Sequence, residues 1–251
     1  MTQPTAIAEG AWLVCQRPRP NARVRLFCFP HSGVGASVYR RWQAALPDDV
    51  EVVAMQAPGR EDRIREPALT RIPAIVDGVV PAIAARLDRP FALFGHSMGG
   101  VVASEVARVL CDRGRAPAHL VVSARRAPLV PPDEPLLHTM DDDALVGELG
   151  RRYGGIPAAV ARDKDLLRWH LPCLRADLTA LETHAPGKRA PMPCPITVFG
   201  GTEDALTPRE HLEPWKDETS GAFRIRFFEG GHFYLEPRRA DVLAHLSEIL
   251  A

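Results

Sequence analysis

Phe94-Gly95-His96-Ser97-Met98-Gly99-Gly100 is the stretch on which the reading of this chain turns. The apolar run Pro90-Phe91-Ala92-Leu93-Phe94 leads into it, and the helix-patterned run Val101 to Leu110 leads out. A G-x-S-x-G arrangement between a buried strand and a helix makes a sharp turn that lifts the serine hydroxyl clear of the backbone. Gly95 and Gly99 stand where side chains would collide with the neighbouring strand and helix. A helix starting at Met98 aims free N–H groups and the positive end of its dipole at the same point. The stretch therefore predicts a nucleophile, Ser97, beside a ready-made site for negative charge.

Upstream, Val24 to Phe29 reads as a buried strand, stopped by Pro30 and followed by the small-residue loop His31-Ser32-Gly33-Val34-Gly35-Ala36. Val38 to Leu46 has a helical pattern, with Tyr39, Trp42 and Leu46 on one face. Glu51 to Met55 is a second strand that runs into the turn Ala57-Pro58-Gly59-Arg60, and Ile72 to Leu87 is a helix. Downstream of the elbow, Gly114 ends the helix and His119 to Ala124 forms the next strand. This β-α-β-α-β-α-β order predicts an α/β fold with a mostly parallel sheet flanked by helices.

The alternation then breaks. Between Pro128 and Pro195 the pattern is helical, over Asp141 to Arg152 and Asp163 to Glu182, with apolar Leu166, Leu167, Trp169, Leu174, Leu178 and Leu181 in need of a surface. This segment reads as a lid over the site or as a longer crossover between strands, and its apolar residues favour the lid. Strand pattern resumes at Ile196 to Phe199 and again at Phe223 to Phe228, and a closing helix spans Arg238 to Leu250. Thr207 to Trp215 reads as a helix opened by a capping box, with Pro208 at its first position. The expected organisation is a leader over 1–22, a core over 23–127 and 189–251, and a helical lid insertion over 128–188. Trp12 and Leu13 are possible anchors of the leader.

Composition narrows the function. Of 251 residues, 31 are Lys or Arg and 31 are Asp or Glu, so zero net charge gives no sign of a nucleic-acid partner. Lysine occurs only at Lys164, Lys188 and Lys216, so the many arginines reflect residue usage as much as anion binding. Met1 to Glu9 lacks the apolar core of a signal peptide, and no apolar run is long enough to span a bilayer. The five cysteines are scattered, with no C-x-x-C and no Cys/His cluster of zinc spacing. Reduced thiols, a cytoplasmic location, no metal, no cofactor and no membrane contact are the expectations.

A serine hydroxyl needs a base within hydrogen-bond reach and an anion to hold that base. In a parallel sheet these groups lie at the carboxyl ends of strands. Asp204 follows the Ile196–Phe199 strand in Gly201-Thr202-Glu203-Asp204, and His232 follows the Phe223–Phe228 strand in Gly230-Gly231-His232. The order Ser, Asp, His fits, with Glu203 as the rival acid. Two backbone N–H groups are expected to hold the oxyanion, that of Met98 and that of Ser32 in the loop after the first clear strand.

These pieces resemble a known family. Phe29-Pro30-His31-Ser32-Gly33, Ala57-Pro58-Gly59-Arg60, Gly95 to Gly100, Leu174-Arg175-Ala176-Asp177, Gly201 to Asp204 and Gly230-Gly231-His232-Phe233 together look like the type II thioesterases. These are stand-alone α/β-hydrolases that accompany polyketide and nonribosomal peptide synthases. The resemblance runs from about residue 23 to the C-terminus. It implies an α/β-hydrolase fold with a mobile lid. It also implies Ser97, Asp204 and His232 as triad, and Met98 and Ser32 as oxyanion donors. The implied substrate is an acyl thioester on the phosphopantetheine arm of an acyl or peptidyl carrier protein, hydrolysed to clear stalled or wrong groups. Position 32 is more often alanine in the family, but only its backbone N–H is needed. A chain that begins at Met1 without a carrier domain is expected to be a free-standing monomer. The competing readings are a general carboxylesterase or lipase, an integrated cyclising domain and a non-catalytic binding protein. Carrier docking is expected through Arg60, Arg63 and Arg65, or Arg125 and Arg126.

Overall fold

The computed structural model describes residues 12–132, 134–153 and 164–251; within the helix from Lys164, side chains are described from Trp169 onward. Seven strands form one sheet: β1 (Leu13–Val14), β2 (Val24–Phe29), β3 (Val50–Met55), β4 (Phe91–His96), β5 (His119–Ser123), β6 (Ile196–Gly201) and β7 (Phe223–Phe228). Their order is β1-β3-β2-β4-β5-β6-β7. Every pairing is parallel except β1 with β3. The helices are α1 (Ile72–Ala84), α2 (Met98–Asp112), α3 (Asp142–Tyr153), α4 (Lys164–Glu182), the short α5 (Arg209–Leu212) and α6 (Arg239–Leu250).

Strands β2 to β6 are buried on both faces because each side chain set meets its own layer. Phe27, Phe29, Val53 and Leu93 face a cluster built with α1, α2 and Trp12. Their alternates Leu26, Cys28, Val52 and Phe94 face a second cluster built with Tyr39, Trp42 and α6. Period-two alternation of this kind is what a pleated strand imposes. The insertion has a small core of its own, with Leu145, Leu149, Leu171 and Leu178 packed around Leu137.

The structure revises several local expectations. Trp12 is buried, and Leu13–Val14 pairs antiparallel with β3, so this part of segment 1–22 belongs to the sheet rather than to a leader; residues 1–11 lie outside the described residues. Val38 to Leu46 is not an α-helix: a 3-10 turn over Ala36–Tyr39 is followed by further turns. Pro47 has no N–H to donate to the Gln43 carbonyl, and the Arg19 guanidinium donates to the Gln43 and Leu46 carbonyls instead. The face was legible nonetheless, since Tyr39, Trp42 and Leu46 are all buried. In the insertion Leu178 and Leu181 are buried as expected, whereas Trp169 is 71% exposed. Asp163 and the side chains of Leu166 and Leu167 lie outside the described residues.

Candidate active site

β4 is the central strand of the seven and lies between β2 and β5, so the turn at its carboxyl end opens among three loops. Ser97 occupies that turn at φ 53°, ψ −117°. Such a backbone costs roughly 1–3 kcal/mol and persists only where its surroundings enforce it. Here the Ser97 N–H donates to the Ser123 carbonyl (2.8 Å) at the end of β5, and the Gly100 N–H donates to the Ser97 carbonyl (3.0 Å). A Cβ on Gly95 would strike the Gly99 carbonyl, and one on Gly99 would strike the Phe29 carbonyl at the end of β2. The two glycines let strand, turn and helix touch through backbone alone.

Three loops bring the expected side chains together. His232 Nε2 lies 3.0 Å from Ser97 Oγ, and His232 Nδ1 lies 2.8 Å from Asp204 Oδ2. Asp204 also accepts the Thr207 hydroxyl at Oδ2 (2.6 Å) and the Leu206 N–H at Oδ1 (3.1 Å). Burial alone would raise the Asp204 pKa; hydrogen bonding and charge attraction from His232, then Thr207 and the Leu206 N–H, outweigh it and hold the carboxyl below its ordinary range. Asp204 is therefore a carboxylate at neutral pH and can only accept. That puts the imidazole proton on Nδ1 and leaves Nε2 free to take a proton from Ser97. Glu203, the rival acid, is exposed. The ring of Tyr153, at the end of α3, packs on His232 with centroids 4.9 Å apart.

Ser32 and Met98 also meet: the Ser32 hydroxyl lies 3.4 Å from Met98 Sδ. The loop after β2 and the first turn of α2 thus flank one side of Ser97, where backbone N–H groups could face a substrate oxygen.

Comparison with known proteins gives the family. The model of the thioesterase domain family matches residues 24–250. The chain belongs to the thioesterase family. It is 38% identical to the thioesterase PikA5 of Streptomyces venezuelae, over 99% of this chain and 88% of that protein. Among solved structures it resembles RedJ, a thioesterase from the prodiginine biosynthetic pathway of Streptomyces coelicolor, with 39% identity, a TM-score of 0.86, and coverage of 98% of this chain and 96% of that one. It also resembles BorB, a type II thioesterase from the borrelidin biosynthetic cluster, with 35% identity, a TM-score of 0.85 and 96% coverage of both chains. The fold is the α/β-hydrolase fold, as expected, and this thioesterase is a thioester hydrolase.

Several supporting contacts escaped the sequence reading. Thr207 does not cap a helix: Pro208 is the N-cap of a four-residue α5, and the Thr207 hydroxyl serves Asp204. Ser123 joins His96 Nδ1 (2.8 Å) to the Tyr234 hydroxyl (2.5 Å), which ties β4 and β5 to the loop that carries His232. His96 is fully buried, and burial, then His232 and His31, push its pKa well down, so it stays neutral beside the site. No local pattern announces such a chain, because its members are far apart in sequence.

The docking expectation for arginine fails at most of its positions. Arg60 and Arg63 are buried, the first paired with Asp177, the second with Glu66 and stacked over Trp12. Arg126 is buried and paired with Glu134. Arg125 is half-buried, and of the group only Arg65 is exposed. Among the described residues, no His, Cys, Asp and Glu cluster could hold a metal ion, and no helix is long and apolar enough to cross a membrane.

Proposed function

We propose that this enzyme hydrolyses acyl thioesters carried on the phosphopantetheine arm of acyl or peptidyl carrier proteins, with Ser97 as nucleophile, His232 as general base and acid, and Asp204 as its orienting anion. The observation that carries this is the unbroken chain from Asp204 through His232 to Ser97, at 2.8 and 3.0 Å, on a strained elbow. His232 Nε2 takes the hydroxyl proton as Ser97 Oγ attacks the thioester carbonyl. The charge that forms on the carbonyl oxygen is held by the N–H groups of Met98 and Ser32. Collapse expels the pantetheine thiolate, a good leaving group that takes up a proton from the imidazolium. Water, deprotonated by His232, then releases the acid from the acyl-serine.

No step in this scheme calls for a metal or a cofactor; the only prosthetic arm is the one the substrate brings. The partner is a carrier domain. The role is editing: removal of stalled or incorrect acyl groups in a polyketide or nonribosomal peptide pathway, in the cytoplasm. The relatives PikA5, RedJ and BorB support this reading. The test is hydrolysis of one short acyl group from a phosphopantetheinylated carrier protein, from a small thiol and from an alcohol. Preference for the carrier is expected. Equal rates, or preference for the alcohol ester, would make this a general esterase.

A further inference from the structure

Two motifs that carried the family resemblance, Ala57-Pro58-Gly59-Arg60 and Leu174-Arg175-Ala176-Asp177, have no part in the reaction as derived above. The structure brings their charged residues together. Asp177 of α4 is wholly buried and Arg60 nearly so. Arg60 donates to both carboxylate oxygens of Asp177, at 2.6 and 2.8 Å. The rest of the guanidinium is held by the Pro58 carbonyl, at 3.2 Å from Nε and 3.1 Å from the second terminal nitrogen. A bidentate pair this enclosed is costly to desolvate and is weak evidence of stabilisation by itself.

A third group shares the carboxylate. The backbone N–H of Gly33 donates to Asp177 Oδ2 at 2.8 Å. Gly33 has φ +81° and follows Ser32 directly. Its N–H belongs to the peptide unit that begins at the Ser32 carbonyl, so anchoring it fixes how Ser32 is turned toward Ser97. Leu174, one helical turn before Asp177, lies over the same residue: a Cβ on Gly33 would come within 3.2 Å of its Cδ1. The insertion is thus bonded to the loop that flanks the nucleophile.

We propose that Asp177 is a positioning residue for the oxyanion hole, acting through the Gly33 N–H, with Arg60 as the partner that aims its carboxylate. This rests on the reading of Ser32 as an oxyanion donor. It makes the lid helix α4 a working part of the site as well as a cover. It also accounts for an ion pair in a place where an apolar pair would pack more cheaply: a carboxylate accepts the Gly33 N–H and an apolar side chain cannot.

Removal of Asp177 alone would strand a buried guanidinium and damage the fold, so the test uses two paired replacements. Arg60→Met with Asp177→Leu removes both charges and the acceptor. Arg60→Gln with Asp177→Asn removes both charges but keeps an amide oxygen for Gly33. Each is measured for thermal unfolding, for kcat and KM on a small acyl thioester, and for affinity of a trifluoromethyl ketone, which adds to a nucleophilic serine and places an oxyanion in the hole. The expected result is a Met/Leu variant folded at 25 °C whose kcat and ketone affinity both fall on the order of 30-fold, the size of one lost charge-assisted contact, with KM changed far less. The Gln/Asn variant is expected to recover most of both. Ketone affinity and kcat at wild-type level in the Met/Leu variant would overturn the proposal, as would equal losses in both variants that follow their stability. The ketone readout needs no thioester turnover, so a failure of the substrate assignment would show separately, as ketone binding by a wild-type enzyme that is inert to thioesters.

Discussion

The sheet side of the site and the inserted helical side are held by different means. On the sheet side, Ser97, His232 and Asp204 stand on loops fixed by backbone contacts to β2, β5 and β6 and by two large apolar layers. On the inserted side, α3 and α4 share a small apolar cluster and reach the rest of the protein partly through polar links: Asp177 to Arg60 and Gly33, His184 to Glu105. The first arrangement suits groups that must keep their distances to a few tenths of an ångström. The second suits an insertion whose small core lets it open locally. The two meet at Gly33, so an insertion that can yield is still bonded to a loop that should not.

The comparison breaks or sharpens under four changes. Gly99→Ala drives a Cβ into backbone at the end of β2 and should cost on the order of 3 kcal/mol of global stability, read by denaturant unfolding. A neutral result would mean that the elbow is looser than described. Leu145→Ala, in the buried centre of the inserted cluster, should cost about 2–3 kcal/mol. That loss should appear as faster amide exchange in 134–153 and 169–182 and much less in the sheet. A uniform loss would make the two regions one cooperative unit. Thr207→Val leaves Asp204 one donor short and should lower kcat about tenfold while the unfolding midpoint moves little. Wild-type turnover would remove Thr207 from the site.

The fourth and smallest change is in pH. Burial, then repulsion from His232, brings the His31 pKa down to about 4, and His96 is pushed down by burial and both neighbours. An unfolded histidine takes a proton near pH 6.5. The unfolded chain therefore binds more protons between about pH 6.5 and 4, and stability should fall as pH drops through that window. Above it these histidines contribute no slope. Asp204, held below its ordinary range, adds a loss at lower pH still. His31→Phe should flatten the first part of the curve; an unchanged slope between pH 6.5 and 5 would exclude His31 as its source.

Much of the candidate site could be read from residues alone because Ser97, Asp204 and His232 each follow a strand, and glycines mark each turn. What could not be read has a common cause: side chains used against local expectation by partners distant in sequence. Thr207 begins a pattern that predicts a cap, yet its hydroxyl has the stronger acceptor in Asp204. Arg60 and Arg63 look like a basic surface until Asp177, Glu66 and Trp12 enclose them. The face of Val38 to Leu46 is set by hydrophobic spacing and survives, while its helix does not, because Pro47 and Arg19 redirect its carbonyls. Two residues of β1 carry too little pattern to be recognised without β3 beside them.

The most direct test of the account is the identity of the acylated atom. The enzyme would be mixed with a short-chain acyl carrier protein, quenched in acid within milliseconds and digested for mass spectrometry, beside Ser97→Ala treated alike. The account predicts the acyl mass on the peptide that contains Ser97, its loss in the variant, and a fall in turnover of at least about 10³-fold. An acyl group on any other residue, or turnover by Ser97→Ala near the wild-type rate, would contradict it.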